Sequence, residues 1–263
     1  MTATATASSS AEPPYISIAV TGLTSYIGGT LTVYRNNPDG TSEPIRQADP
    51  NYAITGASEA LLDYEAPYGA SVSYSTVATK SPAANLTQAT NTVTIDTDQP
   101  WLIHPGTPDI SQPITVTGLA NRNRDVNQSV LTPIGRRRPI VLTDGTLRSP
   151  AGTLTLATET LDERDDLLTL LQDLTPLLLN IPHTLEWGVT SEWIAISAVN
   201  ETAIVGASQE REIVLPYRTV ERPVGAVTLT RTWADVLTEA ATWTELGNLY
   251  ATWLGVYTGQ AGV

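Results

Sequence analysis

From Tyr15 to about Ile95, apolar and polar positions alternate in short runs separated by turn residues. In YISIAV, the residues Ile16, Ile18 and Val20 fall on one side of a strand. LTVY follows the Gly28-Gly29 pair, VSYSTV places Val72 and Tyr74 together, and TVTI ends the series with Val93 and Ile95. A period of two bounded by turn residues predicts half-buried antiparallel strands. Turns such as Asn36-Asn37-Pro38-Asp39-Gly40 supply the reversals. The region therefore reads as a β-sandwich.

The stretch Asp96 to Gly106, with Pro100, Pro105 and Pro108 nearby, reads as a joint between domains, with Trp101 docked in it. A second β-rich region follows, with ITVT from Ile114, PIVL from Pro139, TLTLA from Thr153, LLLNI from Leu177, WIAIS from Trp193 and EIVL from Glu212. Between the third and fourth of these the period changes. Thr160 and Glu163 form a capping-box pair, acids crowd the first turn, and Leu167, Leu170, Leu171 and Leu174 recur at i, i+3, i+4 and i+7. Pro176 stops the pattern. The spacing predicts a helix over about 160–174 whose leucine stripe covers an apolar sheet face or barrel opening.

Near the C-terminus the pattern changes again, to three Thr-Trp pairs at Thr232-Trp233, Thr242-Trp243 and Thr252-Trp253. On one straight helix a ten-residue step would leave successive tryptophans roughly 80° apart, so they would not share a face. The intervening ADVLTEA and TELGNLYA favour helix over strand. Thr232 with Asp235, and Thr242 with Glu245, repeat the capping pattern, so each pair reads as the start of a short helix. Two readings of Trp233, Trp243 and Trp253 stand: packing on the preceding domain, or an assembly interface, where tryptophan is enriched.

Composition narrows the function classes. The chain has 263 residues, enough for one large or two ordinary domains, and a formal charge of −13. That field disfavours nucleic acid and anionic membrane. Six of the fourteen basic residues nevertheless fall between Arg122 and Arg148, including the run Arg136, Arg137 and Arg138. The run reads either as a solvated loop or as a contact to acidic groups of a neighbouring subunit; without interleaved aromatics it is a poor nucleic-acid patch. There is no cysteine, which removes disulfide and thiol chemistry. MTATATASSSAEPP has neither the basic region nor the apolar run of a signal peptide, and no stretch approaches a membrane span. The expectation is a soluble protein made in the cytosol, with a disordered arm and no membrane insertion.

Catalytic patterns are missing. His104 and His183 stand far apart, each beside proline and outside any HExxH arrangement, and both read as structural or exposed. No nucleophile elbow, Walker loop or dinucleotide fingerprint occurs. The acid-rich LDERDD has a sufficient structural reason at a helix N-terminus. The chain is expected not to be an enzyme and to carry no cofactor or metal.

Four stretches in order resemble a siphophage minor tail protein of the distal-tail type, from phages of actinobacteria. Asp63-Tyr64-Glu65-Ala66-Pro67-Tyr68-Gly69, followed by the strand Val72 to Tyr74, is similar to the front sandwich domain of those proteins. Arg136-Arg137-Arg138, leading through a hairpin to TLTLAT and the helix from Thr160, resembles the barrel module of the distal-tail and tail-tube superfamily. Glu212-Ile213-Val214-Leu215-Pro216 running on to Glu221-Arg222-Pro223 resembles its closing strand, and the Thr-Trp repeats resemble the usual ending. The resemblance implies a mainly β chain with a disordered arm at 1–13, an immunoglobulin- or fibronectin III-like sandwich at 14–97, a split β-barrel with one helix at 98–226, and a tryptophan-repeat helical segment at 227–263. It also implies a non-enzymatic virion protein, assembled in the host cytoplasm, forming a homo-oligomeric ring that joins tail tube to tail tip or baseplate. A hexamer is the favoured ring and a trimer, as in a tail-tip hub, the alternative. The assembly residues would be Trp233, Trp243, Trp253, Arg136, Arg137 and Arg138. A surface module gripping carbohydrate is the competing class.

Overall fold

The computed structural model describes residues 1–49, 51–132, 134, 138–172, 175–189, 191–204, 209–223, 240, 242, 245 and 246. The fold is mainly β, built of antiparallel sheets, with one α-helix among the described residues. Two compact units emerge, one containing Met1–Asp96 and His104–Ser111, the other Thr97–Ile103 and Gln112–Arg222. The units are therefore not consecutive blocks of chain. At the expected joint the chain enters the second unit, returns to the first at His104, and leaves it again after Ser111.

The first unit contains strands β1 (Thr2–Ser8), β2 (Tyr15–Thr21), β3 (Thr30–Asn36), β4 (Ser42–Pro44), β5 (Tyr52–Ala53), β6 (Ser58–Asp63), β7 (Ser71–Thr79), β8 (Leu86–Ala89) and β9 (Val93–Thr94). One sheet has the order β1-β2-β6; the other runs β4-β3-β7-β8, with β5 beside β3 and β9 beside β7. Alternation does what the sequence predicts: Ile16, Ile18, Val20, Leu31, Val33, Val72 and Tyr74 are all buried.

The N-terminal residues correct one expectation. In place of a disordered arm, Thr2–Ser8 is an edge strand paired residue by residue with Tyr15–Thr21. Its inward residues are Ala3 and Ala5, while threonines face out. The side chain of Asn91 fixes it, accepting from the Ala5 amide and donating to the Ala5 carbonyl, both at 3.0 Å. One amide side chain thus mimics a neighbouring strand. At the Gly28-Gly29 turn, a Cβ on Gly29 would collide with the Thr79 carbonyl, so only glycine lets β3 start there.

A polar group sits in this apolar interior. Arg35 on β3 and Asp63 on β6 are 5 % and 2 % exposed, and the same carboxylate accepts from the Tyr74 hydroxyl at 2.9 Å and the Glu65 amide at 2.9 Å. Arg35 also donates to Glu43 at 2.8 Å and to Asn37 at 3.0 Å. Burial works against the Arg35 charge, but Asp63, Tyr74 and Glu65 outweigh it and hold the guanidinium above its usual range.

The second unit contains β10 (Trp101–Ile103), β11 (Gln112–Pro113), β12 (Thr115–Asn123), β13 (Val126–Leu131), β14 (Ile140–Leu147), β15 (Ala151–Thr158), α1 (Leu161–Leu171), β16 (Leu177–Asn180), β17 (Ser191–Ile196), β18 (Asn200–Ala203) and β19 (Arg211–Thr219). Its main sheet has the order β11-β10-β16-β17-β19-β15-β12, with β18 beside β19. The two end strands are separated in the chain by Ile114 alone, so the sheet curls far enough for its two edges to meet end to end at that residue.

Helix α1 begins as the sequence predicts. The Thr160 side chain accepts from the Glu163 amide at 3.2 Å; the Glu163 carboxylate reaches back one residue further than the usual box, to the Glu159 amide at 2.9 Å. Leu167, Leu170 and Leu171 are buried and the helix packs on β15 and β11, whereas Leu174 lies outside the described residues. Each buried leucine contributes about 1.5–3 kcal/mol.

Candidate assembly surface

The strands β12 and β15 form the lower half of a long antiparallel ribbon whose upper half is β13 and β14. The lower half belongs to the curled sheet, with Leu154 and Leu156 in its core. The upper half pairs with nothing but itself among the described residues. Two hydrogen bonds mark the transition, Arg148 amide to Asp125 carbonyl at 3.0 Å and Asn123 side chain to Asp125 at 2.8 Å.

Below that point the ribbon is held firmly. The Tyr217 phenol lies across Gly152, where a Cβ would stand 3.1 Å from its hydroxyl oxygen and 3.2 Å from two ring carbons, so glycine makes room for it. Beside it Arg122 on β12 donates to Glu192 on β17 at 2.6 Å, and Thr219 donates to the same carboxylate at 3.2 Å. Burial pushes the Tyr217 phenol above its usual range, with Arg122 opposing and Glu192 adding.

Above that point every residue of β13 is exposed. Opposed residues of an antiparallel pair share a face, so Val130 and Val141 lie on one side, and Leu131, Ile140 and Leu142 on the other. Both sides are therefore apolar and open to solvent. Val130 is 57 % and Leu142 54 % exposed, and Ile134 in the connecting turn is fully exposed. Such clustering on a folded protein marks an interaction surface, and a lone two-stranded hairpin gains little stability of its own.

The arginine run belongs to the connection between β13 and β14. Arg138 is exposed; Arg136 and Arg137 lie outside the described residues. Arg124 and Arg148, near the ribbon's base, are exposed as well and form no ion pair among the described residues. Trp233, Trp243 and Trp253 also lie outside the described residues. One capping pair between them is visible: the Thr242 hydroxyl accepts from the Glu245 amide at 3.3 Å, and Glu245 accepts from the Thr242 amide at 3.1 Å. Ala240 and Leu246 beside it are buried.

The apolar ribbon residues do not stand out in the sequence as candidates. PIVL reads as a core strand, and VNQSVL carries too few apolar residues to stand out. The one signal is the turn chemistry, a connection containing Pro133, Gly135 and Pro139 between two strand-length segments.

The two histidines have different roles. His104 is fully buried and its Nδ1 accepts from the amides of Thr107 at 2.9 Å and Gly106 at 3.2 Å, which shapes the following loop; His183 is exposed. Among the described residues no three His, Asp or Glu side chains are grouped to hold a metal, and no helix is long and apolar enough to cross a membrane. No protein-family model matches the chain, and no curated protein matches it at a significant level.

Proposed function

We propose that this chain is a structural component of a siphophage tail, of the distal-tail type, that forms a ring between tail tube and tail tip or baseplate. The observation that carries the reading is the bare β13–β14 ribbon, apolar on both faces and rooted in a firmly held sheet, between whose strands the sequence carries an arginine run. A surface of that kind suits a subunit, because a neighbouring molecule can bury it. The chemistry of the site is that of contact, with no nucleophile, acid–base pair or cofactor in the reading.

Two finer structural readings go with this one. The first unit is an immunoglobulin- or fibronectin III-like sandwich, supported by a β1-β2-β6 sheet and a β4-β3-β7-β8 sheet that share one core. The second is a split barrel of the distal-tail kind, supported by the single residue between its end strands and by one helix packed on β11 and β15. The ring is a homo-oligomer, six copies being favoured over three, located in the virion tail and assembled in the host cytoplasm. Electron microscopy of the purified full-length protein tests this reading. Closed rings of uniform size are expected; monomers at every concentration would contradict it.

A further inference from the structure

We infer that His104 is an acid-sensitive clasp on the loop His104–Ser111, closed while its imidazole is neutral and opened by a proton. The loop is the stretch in which the chain visits the first unit between β10 and β11. The clasp does not depend on the ring.

Bonds within the loop give it its shape. The His104 amide donates to the Ser111 hydroxyl at 3.0 Å and so joins the two ends. The amides of Ile110 and Ser111 donate to the carbonyls of Thr107 and Pro108 at 3.2 and 2.9 Å, making a 3₁₀ turn of Pro108–Ile110. Between these, the imidazole Nδ1 receives the amides of Thr107 at 2.9 Å and Gly106 at 3.2 Å. A backbone amide can only donate, so Nδ1 presents its lone pair and the neutral ring carries its hydrogen on Nε2. A proton arriving at Nδ1 turns the acceptor into a third donor facing two others, and both bonds are lost. The ring is also fully buried, where its charged form is disfavoured.

The surroundings do little for an imidazolium. The one charged side chain on the loop, Asp109, is exposed. Neither β10 nor β11, which flank the loop, nor β16, paired with β10, carries an ionisable side chain. On α1, which packs on β11, Asp162, Glu163, Asp165 and Asp166 are exposed. In the first unit the buried carboxylates of Asp63 and Glu65 are paired with Arg35 and Arg46. Burial, then Asp109 and Tyr15, raises the Tyr64 phenol above its usual range, so that it supplies no anion; the Tyr15 ring lies 5.2 Å from it. In the open loop the imidazole titrates as in an unfolded chain, near about pH 6.5. The closed loop binds that proton less readily than the open one. Closure is therefore fully favoured above about pH 6.5 and weakens about tenfold for each pH unit below it, one proton being taken up on opening.

Hydrogen exchange of the full-length protein tests the clasp, read by mass spectrometry on peptides covering 104–111 from about pH 8 to about pH 5 and corrected for the chemical exchange rate at each pH. Protection of the loop should fall about tenfold per pH unit below about pH 6.5, while that of β2 holds. His104→Asn places an amide oxygen where Nδ1 accepts and cannot take the proton, so its loop should stay protected throughout. His183→Gln, at the exposed histidine, should follow wild type. If His104→Asn does not fold, deuterium exchange at the imidazole C2 positions of wild type decides, since His104 should gain its charge over the same pH range in which the loop opens. Wild-type protection that stays flat to the lowest pH, protection that falls equally in His104→Asn, or a charged His104 in a loop still closed would overturn the clasp.

Discussion

Nη1 of Arg35 donates to both carboxylate oxygens of Asp63, at 3.1 and 3.0 Å, and so ties the sheet containing β3 to the sheet containing β6 inside the first unit. Neither group reaches water, so each depends on the other. Two charges brought out of water lose several kcal/mol of hydration each, and the bonds that Tyr74 and Glu65 donate to Asp63, with those that Arg35 donates to Asn37 and Glu43, are what make the arrangement tolerable.

Removing one partner should therefore cost more than the pair itself contributes. Asp63→Ala leaves the buried Arg35 charge without its principal partner, and a loss of about 3–5 kcal/mol is expected. Urea unfolding of the full chain, followed by tryptophan-independent circular dichroism, measures it. A loss under 1 kcal/mol would mean that Glu43 alone can hold the guanidinium.

Tyr74 gives the first unit a dependence on alkaline pH. Burial, then the neighbouring Asp63 charge, pushes its phenol above the usual tyrosine range, although Arg35 opposes the shift. The folded chain thus holds this proton more tightly than the unfolded chain, whose tyrosines ionise near pH 10. The stabilisation is complete below about pH 10 and is lost as pH rises above it. Tyr74→Phe should cost about 1–3 kcal/mol at neutral pH, because Asp63 loses a donor, and should flatten the decline above pH 10. Buried Tyr68, also shifted upward by burial, leaves part of that decline in place. An unchanged slope would remove Tyr74 from the account.

Asn91 decides whether the N-terminal strand stays in its sheet. Asn91→Ala removes both bonds to Ala5 and should lower stability by about 1–3 kcal/mol. Hydrogen exchange checks the location of the effect: amides of β1 should lose protection before those of β2. Equal protection in the variant would mean that pairing with Tyr15–Thr21 suffices.

In the second unit, Leu170 is 1 % exposed on the inner side of α1. Leu170→Asp buries an unpaired carboxylate and should cost several kcal/mol, comparable with a small domain's whole margin. Thermal melting should show the transition of the second unit lowered. A wild-type melting curve would mean that the leucine stripe does not support the sheet.

Much of this architecture is legible in the chain, and the exceptions have physical causes. Helix α1 announces itself because its cap and its leucine period agree, and the core strands do so because isoleucine, valine and leucine alternate with polar residues. Strand β1 is hidden because its inward residues are alanines, which leave the alternation almost without contrast. Arg35 did leave a trace, since it follows Leu31 and Val33 at core parity, but identifying Asp63 as its partner requires the fold. The ribbon's exposure is hidden for the opposite reason. Its apolar residues look like those of a core strand, and nothing in PIVL distinguishes a strand covered by its own chain from one left for a partner. The arginine run is legible as a candidate, while the exposure of the apolar strands on either side of it is not.

The proposed role is that of a building part in a virion tail. The most direct measurement is gold labelling, with antibody raised against the purified chain, of particles released from cells that produce it, viewed by electron microscopy. Labels confined to the far end of the tail, where tube meets tip or baseplate, are expected. Intact tailed particles without label, or label found only on cell surfaces, would contradict it.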